Sequence, residues 1–161
     1  MKKNNEKTNV MRVLDSKKIE YVYHNYTDTD AISGSEVALA LGQNPDKVFK
    51  TLVTQSGSKN YYVFMVPVEK ELDLKKAAKA VGEKSISMIK SKELLPLTGY
   101  IHGGCSPIGM KKQFVTTIHS TATEFDTIIF SAGKIGYQVE LPLDSLRTVI
   151  QLNIADIICD V

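Results

Sequence analysis

The 161-residue sequence lacks the features that mark several specialised classes of protein. It has two cysteines, Cys105 and Cys159, which lie far apart and have no partner at metal-ligand spacing. This pattern excludes a disulfide framework and a cysteine zinc site, so we expect reduced thiols. No apolar run approaches the roughly 20 residues that span a bilayer, and the basic residues 1–7 are not followed by the apolar stretch of a secretory signal. We expect a cytoplasmic protein without a membrane partner, with residues 1–7 disordered.

The charge balance is nearly even. Lys and Arg number 20 and Asp and Glu number 18, so the formal net charge is +2. That value is too small to indicate nucleic-acid binding, because dedicated binders concentrate basic residues in a patch. Lysines do cluster at 75–79, 84–92 and 111–112, although such clusters more often form the solvated face of a helix. Charge alone therefore leaves the partner open.

Several catalytic and cofactor-binding motifs are missing. The sequence contains neither the Walker pattern nor the dinucleotide Gly-x-Gly-x-x-Gly pattern, so nucleotide-cofactor binding has no support. It has no Gly-x-Ser-x-Gly motif, no carboxylate pair at hydrolase spacing and no His/Asp/Glu cluster, so we expect no metal and no cofactor. His24, His102 and His119 show no triad spacing. Each is expected to be a surface or packing residue, with His102 the best exception because it adjoins two glycines.

Apolar periodicity and turn signals predict one domain of the α+β class. Helices are expected at 8–16, from Ser33 or Ser35 to Gly42, at 73–81 and at 142–148, with one helical turn at 91–95 that ends before Pro96. Strands are expected at 19–26, 48–54, 61–67, 85–88, 114–118, 127–130 and 137–141, with an element of uncertain type at 154–158. Hairpins mixed with crossing helices favour one mixed β-sheet with surrounding helices, and residues 1–161 as a single domain.

Lys50 is the most informative single side chain, because it interrupts an apolar strand. One interpretation is a lysine on the solvent face of the strand. The other is a long stem that packs along apolar neighbours while its ammonium group reaches a phosphate or a carbonyl oxygen. The residues around Lys50 do not decide between these two.

Two glycine-containing loops are candidates for a ligand site. Residues 98–109 contain four glycines and one proline, and residues 131–136 follow a strongly apolar strand. Glycine lets backbone N–H groups approach a phosphate, a carboxylate or an ester carbonyl, although a tight turn between elements would explain the first loop equally well. If both loops serve a ligand, they face one cleft.

Neither loop offers an evident protein nucleophile. Ser131 would need a base that is held by a third group, and the sequence shows none. Cys105 would need a pKa lowered by neighbouring positive charge, which makes a reactive thiol the less favoured interpretation. The residues predict a pocket of backbone groups, one lysine and one or two hydroxyls, without a general base.

Five separated motifs resemble the YbaK/EbsC family and occur in its order. They are Phe49-Lys50-Thr51-Leu52, Leu72-Asp73-Leu74-Lys75-Lys76, Gly99-Tyr100, Gly103-Gly104-x-Ser106-Pro107-x-Gly109 and Ser131-Ala132-Gly133-Lys134-x-Gly136. The resemblance runs from Thr8 to Asp160 and implies a single α+β domain related to the editing domain of bacterial prolyl-tRNA synthetases. It also implies deacylation of mischarged tRNA in trans, with cysteine on tRNA(Pro), or on tRNA(Cys), as the substrate.

The resemblance assigns roles to individual residues. Lys50 matches the essential lysine, which is expected to hold a phosphate of the terminal adenosine or the region around the amino acid. Gly103 and Gly104 match the loop that contacts the aminoacyl ester, and Ser131 matches a serine that fixes the ribose or amino group. Tyr26 matches a pocket tyrosine. The substrate-binding set is completed by Ser106, Gly133 and Gln138.

Three positions depart from the family pattern. Ser33 stands where close relatives carry phenylalanine, and Gln138 stands where some carry aspartate. The segment Lys134-Ile135-Gly136 lacks the arginine of many members. These departures affect the shape of the pocket and the recognition of the amino group.

The family mechanism explains a pocket without a base, because the thiolate of the cysteine substrate attacks its own ester carbonyl and leaves as a cyclic thiolactone. Two alternatives stay open. One is an editing enzyme that removes another amino acid, such as alanine, by water hydrolysis. The other is a binding module for tRNA or a synthetase without turnover. The expected partners are the acceptor end of aminoacyl-tRNA and prolyl-tRNA synthetase, without cofactor or metal.

Overall fold

The computed structural model describes residues 7–31 and 33–160. Its helices are α1 (Asn9–Ser16), α2 (Gly34–Ala40), α3 (Leu74–Val81), α4 (Ser91–Thr98) and α5 (Leu143–Arg147). Its strands are β1 (Val22–Asn25), β2 (Phe49–Ser56), β3 (Tyr61–Pro67), β4 (Ile86–Met88), β5 (Thr116–His119), β6 (Ile128–Ser131), β7 (Tyr137–Leu141) and β8 (Leu152–Ala155). Two 3₁₀ segments cover Pro45–Lys47 and Ser120–Glu124.

The strands form two sheets. The larger has the order β4-β2-β3-β5-β8, in which β2 pairs antiparallel with β3 and β4, while β5 runs parallel to both β3 and β8. The smaller is antiparallel, with the order β1-β7-β6. A parallel bridge between Val48 and Ile129 joins the two sheets at the start of β2. The predicted α+β class is confirmed, and hydrogen bonding divides its strands between these two sheets.

The larger sheet is buried on both faces. Val63 and Met65 of β3 belong to the main core, which also contains α1 and the smaller sheet, whereas Phe64 and Val66 pack with α3 on the opposite face. Alternate residues of a strand point to opposite faces, so a nearly continuous apolar run such as β3 is what a strand between two layers requires.

Capping residues place the helix ends close to the predicted positions. Thr8 caps α1 by accepting a hydrogen bond from the Met11 N–H, and Ser33 and Glu36 form a reciprocal capping box at the start of α2. Gly82 ends α3 in the left-handed conformation, with φ of 74°. These are the local signals from which the helix boundaries were predicted.

Some boundaries were predicted wrongly. Helix α4 continues through Pro96 to Thr98 instead of ending before the proline. Proline removes one backbone donor, and Pro96 lies on the exposed face of the helix. The helix ends at the buried Thr98, whose hydroxyl donates to Leu94 O at 2.8 Å. Strand β1 covers only Val22–Asn25, and the uncertain last element is strand β8, which begins two residues earlier than predicted.

The structure describes part of the basic N-terminus and of the lysine clusters. The prediction for residues 1–7 lies outside the described residues except for Lys7, which pairs with Asp15. In the cluster at 75–79, Lys76 binds Asp156 and Asp160 and so ties α3 to the chain after β8. In the described part of the chain, no helix has the length and apolar character needed to cross a bilayer.

Candidate active site

A cavity of about 640 Å³ lies where the first half of β2 meets the facing ends of β6 and β7. The N-terminal half of α2 forms one wall, and β4 with the start of α4 forms another. The glycine-rich loop after α4 closes a third side through His102, Gly103 and Cys105. This volume lies within the roughly 300–1,000 Å³ of small-molecule sites.

The cavity brings together five of the eight predicted site residues. They are Tyr26, Lys50, Gly103, Ser131 and Gln138. The other three, Gly104, Ser106 and Gly133, are not among the residues that line the cavity. Residues that are widely separated in the sequence thus converge on one site, as the two-loop interpretation required.

Lys50 lies near the start of β2, opposite Val66 of β3. Its side chain is 31% exposed, and its ammonium nitrogen is 3.7 Å from a carboxylate oxygen of Glu71. Glu71 itself is 80% exposed, so this ion pair is weak and screened by solvent. The ammonium group therefore remains available to a ligand in the cavity.

Ser131 and Gln138 face one another across the β6–β7 ladder. The Ser131 hydroxyl oxygen accepts a hydrogen bond from the Gly133 N–H at 3.1 Å. A hydroxyl that accepts one bond still has its own hydrogen to donate. Gln138 is 5% exposed and exchanges hydrogen bonds with Gln43, where Gln43 Nε2 donates to Gln138 Oε1 at 2.8 Å.

Tyr26 and Tyr137 supply the aromatic part of the lining. Tyr26 is 5% exposed and follows β1, and its N–H donates to Gly136 O at 2.8 Å. The ammonium of Lys134 lies 5.6 Å from the centre of the Tyr137 ring, within the range of a cation–π contact. The loop at 131–136 therefore holds both tyrosines in place.

The two adjacent glycines of the first loop, Gly103 and Gly104, lie in different surroundings. Gly103 lines the cavity with φ of 90°, a conformation that favours glycine. Gly104 is buried against the second loop, where an added Cβ would lie 3.1 Å from Ile135 N and 3.4 Å from Lys134 C. The need for glycine at 104 comes from this close backbone contact between the two loops.

Ser106 and Gly133 support the loops from the core. The Ser106 side chain is fully buried, and its hydroxyl oxygen accepts from the Ile108 N–H at 3.3 Å. A Cβ at Gly133 would lie 2.9 Å from the Tyr100 ring. The Tyr100 hydroxyl in turn donates to Ile108 O at 2.5 Å. These contacts make both residues structural supports of the site and keep their side-chain positions away from the ligand space.

Cys105 is the one thiol at the cavity among the described residues, and burial raises its pKa to about 12. A thiol with so high a pKa is protonated at neutral pH and is a poor nucleophile. No hydrogen bond in residues 7–31 and 33–160 joins a cavity serine or cysteine to a histidine. The site therefore offers no base-activated protein nucleophile in its described part.

The three histidines lie in different environments. His102 is exposed at the cavity rim. His24 binds Glu140 at 2.8 Å, outside the cavity lining. Burial lowers the pKa of His119, whose neutral ring accepts the Ile157 N–H through Nδ1 at 3.2 Å. The expectation that His24 and His119 are packing residues agrees with these positions.

Sequence reasoning missed several contributors. Thr51 lines the cavity, and its hydroxyl oxygen is buried without a hydrogen-bond partner among the described residues. Gln43, which forms hydrogen bonds with Gln138, follows α2 in an ordinary turn sequence. An apolar wall comes from Met88, Ile89 and Leu94. Only Thr51 carried a signal, since it adjoins Lys50 in the strand motif.

Ser33 explains one departure from the family pattern. It lines the cavity, and its hydroxyl accepts from the Glu36 N–H at 3.2 Å as the cap of α2. The position therefore serves the helix and contributes little bulk to the cavity.

Comparison with solved structures defines the fold. A protein described only as hypothetical superposes with a TM-score of 0.84 at 18% identity, covering 93% of this chain and 99% of its own. A proposed trans-editing enzyme for prolyl-tRNA synthetase superposes with a TM-score of 0.80 at 20% identity, covering 96% and 100%. The chain thus shares its fold with both of these proteins.

Sequence comparison defines the family. The model of the aminoacyl-tRNA editing domain matches residues 29–149. EbsC of Enterococcus faecalis, named for a proposed Cys-tRNA(Pro)/Cys-tRNA(Cys) deacylase activity, is 43% identical over 157 residues, which cover 97% of this chain and 96% of EbsC. The chain belongs to the aminoacyl-tRNA editing domain family, and the resemblance to YbaK/EbsC proteins is confirmed.

Proposed function

We propose that the protein is a trans-acting aminoacyl-tRNA deacylase that removes cysteine from tRNA(Pro), and from tRNA(Cys), as the name of EbsC states for that relative. The observation that carries this proposal is the composition of the cavity. It holds a lysine and several polar groups with free hydrogen-bonding capacity, and its thiol is kept protonated by burial. Such a site suits a substrate that supplies its own nucleophile.

The proposed reaction is an intramolecular acyl transfer. The sulfur of the cysteine substrate attacks the carbonyl carbon of its own ester, so a carbon–sulfur bond forms and the carbon–oxygen bond to the ribose breaks. The proton lost by the substrate thiol ends on the ribose oxygen, which leaves as the tRNA hydroxyl. The products are a cyclic thiolactone and free tRNA. The protein mainly holds the aminoacyl group in the reactive conformation, which is a large part of such a rate enhancement.

Three residues of the cavity have separate roles in the proposed binding of the substrate. Lys50 binds a phosphate of the terminal adenosine or the polarised ester region through its ammonium group. Ser131 has a hydroxyl hydrogen left to donate to the ribose or the amino group. Gly103 allows the substrate to approach the loop backbone, because it carries no side chain.

The proposal also includes the cellular compartment and a partner protein. Aminoacyl-tRNA is met in the cytoplasm, where we place the protein. The likeness to a proposed trans-editing enzyme for prolyl-tRNA synthetase supports that synthetase as a partner. Co-purification of the two proteins in the presence and absence of tRNA would test the association.

A deacylation assay tests the reaction. Cys-tRNA(Pro), Ala-tRNA(Pro) and Ser-tRNA are offered separately, and the released product is identified by mass spectrometry. We expect rapid release from the cysteine substrate only, with the thiolactone or its hydrolysis product. Equal release of all three amino acids would replace substrate-thiol attack by water hydrolysis. A salt-sensitive tRNA complex that releases nothing would make the protein a binding module.

A further inference from the structure

Gln138 meets Gln43 at the edge of the cavity, and the geometry of the pair is asymmetric. Gln43 Nε2 donates to Gln138 Oε1 at 2.8 Å, whereas Gln138 Nε2 is 3.5 Å from Gln43 Oε1. The acceptor oxygen of Gln138 is therefore engaged in a short bond, and its amide hydrogens are only weakly used. An amide carries two N–H hydrogens, so at least one remains for a ligand.

The position of Gln138 directs that hydrogen-bonding capacity to the cavity. Gln138 lines the cavity, lies opposite Ser131 on the neighbouring strand, and is 5% exposed. A buried amide hydrogen without a partner costs free energy on the order of 1–3 kcal/mol, so its satisfaction by a ligand favours binding. The ligand group that fits a donor is an oxygen atom, such as the ester carbonyl or a ribose hydroxyl.

Gln43 is held firmly enough to impose this orientation. It follows the left-handed Gly42, and its own N–H donates to Ala38 O at 2.8 Å, which fixes it to the last turn of α2. The first half of the same helix forms a wall of the cavity. The hydrogen bonds between Gln43 and Gln138 thus connect this wall to β7 and hold the Gln138 amide in one orientation, with one of its N–H hydrogens outside the pair.

We propose that Gln43 is a positioning residue that presents Gln138 to the substrate as a hydrogen-bond donor to an ester or ribose oxygen. This inference rests on the proposed function of the cavity.

A double-mutant cycle tests whether Gln43 acts through Gln138. Gln43→Leu is expected to raise KM for Cys-tRNA(Pro) about 10-fold with little change in kcat, by the loss of one oriented hydrogen bond. In a Gln138→Leu background, adding Gln43→Leu should have no further effect. Gln151→Leu, an exposed substitution of the same chemistry away from the cavity lining, should leave both constants unchanged. An equal loss from Gln43→Leu in both backgrounds would indicate a merely structural role and overturn the proposal.

A polarity inversion tests the donor assignment. Gln138→Glu keeps the shape of the side chain and replaces the amide donor by a carboxylate, which only accepts hydrogen bonds. We expect the loss in this variant to equal or exceed that of Gln43→Leu. Wild-type activity in Gln138→Glu would show that Gln138 does not act as a donor.

A binding measurement keeps this inference separate from the reaction. The probe is adenosine that carries cysteine on its 3′ position through an amide in place of the ester, and the same variants are compared by their Kd. If the wild type deacylates nothing, the proposed function fails, while a cycle in Kd still decides the role of Gln43. A Kd that is unchanged in Gln43→Leu would reject the positioning role.

Discussion

Strand β7 contributes to two polar clusters, which differ in whether their charged groups have close partners within the protein. Glu140 accepts hydrogen bonds from His24 at 2.8 Å, Lys47 at 3.0 Å and Thr127 at 2.5 Å, so every strong group in that cluster has a partner. Two residues earlier on the same face of the strand, Gln138 enters the cavity. There the ammonium group of Lys50 has, among the residues that the structure describes, only the exposed carboxylate of Glu71 at 3.7 Å.

The difference shows how to distinguish stability from binding in this molecule. Burial opposes ionisation of Glu140, but the bonds from Thr127, His24 and Lys47 outweigh it and lower its pKa to about 2. The groups of the Glu140 cluster thus satisfy one another, and they connect β1 and β7 to the 3₁₀ segment at Pro45–Lys47 and to the residue before β6. The cavity groups retain free donors and acceptors, which are satisfied when a ligand binds.

The largest effect is expected from Lys50→Ala. Loss of the cavity ammonium should lower kcat/KM for Cys-tRNA(Pro) at least about 100-fold, as for the loss of other oriented charge-stabilising groups. The melting temperature should change little, because the ion pair with Glu71 is weak. Steady-state deacylation and thermal unfolding measure the two quantities. Glu71→Ala is the matched control and should retain activity; an equal loss in both variants would mean that the ion pair, not a substrate contact, matters.

Glu140→Gln should have the opposite effect to Lys50→Ala, because it should lower stability and not activity. Removing the charge from a partly buried, hydrogen-bonded cluster should lower the free energy of unfolding by roughly 2 kcal/mol at pH 7. Because the pKa of Glu140 is lowered from its ordinary value of 4.5 to about 2, its stabilisation is complete above pH 4.5 and is lost as the pH falls towards 2. Denaturant unfolding at several pH values should show a smaller acid loss in the variant. Identical pH dependence in both proteins would contradict this account.

Thr51→Val tests the buried hydroxyl that has no partner in the described residues. If this hydroxyl bonds the substrate, its removal should lower kcat/KM about 5-fold, the value of one neutral hydrogen bond. Folding should be unaffected or slightly improved, because an unsatisfied polar group has been replaced by an apolar group of the same shape. Kinetics and melting curves are compared with those of Thr51→Ser, which keeps the hydroxyl. A large loss of stability would show that the hydroxyl belongs with the satisfied groups.

Cys105→Ala is expected to have the smallest effect on the reaction. The thiol has its pKa raised to about 12 by burial, so it does not serve as a nucleophile at neutral pH. Activity should stay within about twofold of the wild type, and the small void should cost about 1 kcal/mol of stability. Inactivation without unfolding would restore a protein thiol as the nucleophile.

Much of this arrangement could be predicted from residues that act locally. Caps such as Thr8 and Ser33 and the left-handed Gly82 predicted helix ends, and the turn residues between two apolar runs predicted the β2–β3 hairpin. The convergence of Tyr26, Lys50 and Ser131 came from the family motifs, because nothing in their spacing brings three distant segments together.

What escaped prediction depends on contacts between distant segments. The division into two sheets at the Val48–Ile129 bridge and the bond between Gln43 and Gln138 leave no pattern in either segment alone. The family resemblance assigned Gly104 to the loop that contacts the aminoacyl ester. Its actual neighbour is the backbone of Lys134 and Ile135, and only the packed structure distinguishes the two reasons for a glycine.

The close contact between Gly104 and residues 134–135 has a consequence for how such proteins change specificity. Where main chain touches main chain, almost any substitution disturbs both loops, so that side of the cavity is nearly closed to variation. The opposite side consists of side chains from α2, β4 and α4, which can be exchanged one at a time. We expect the side formed by the two loops to bind the parts that all aminoacyl-tRNAs share. We expect selection for a new amino acid to change side chains of α2, β4 and α4.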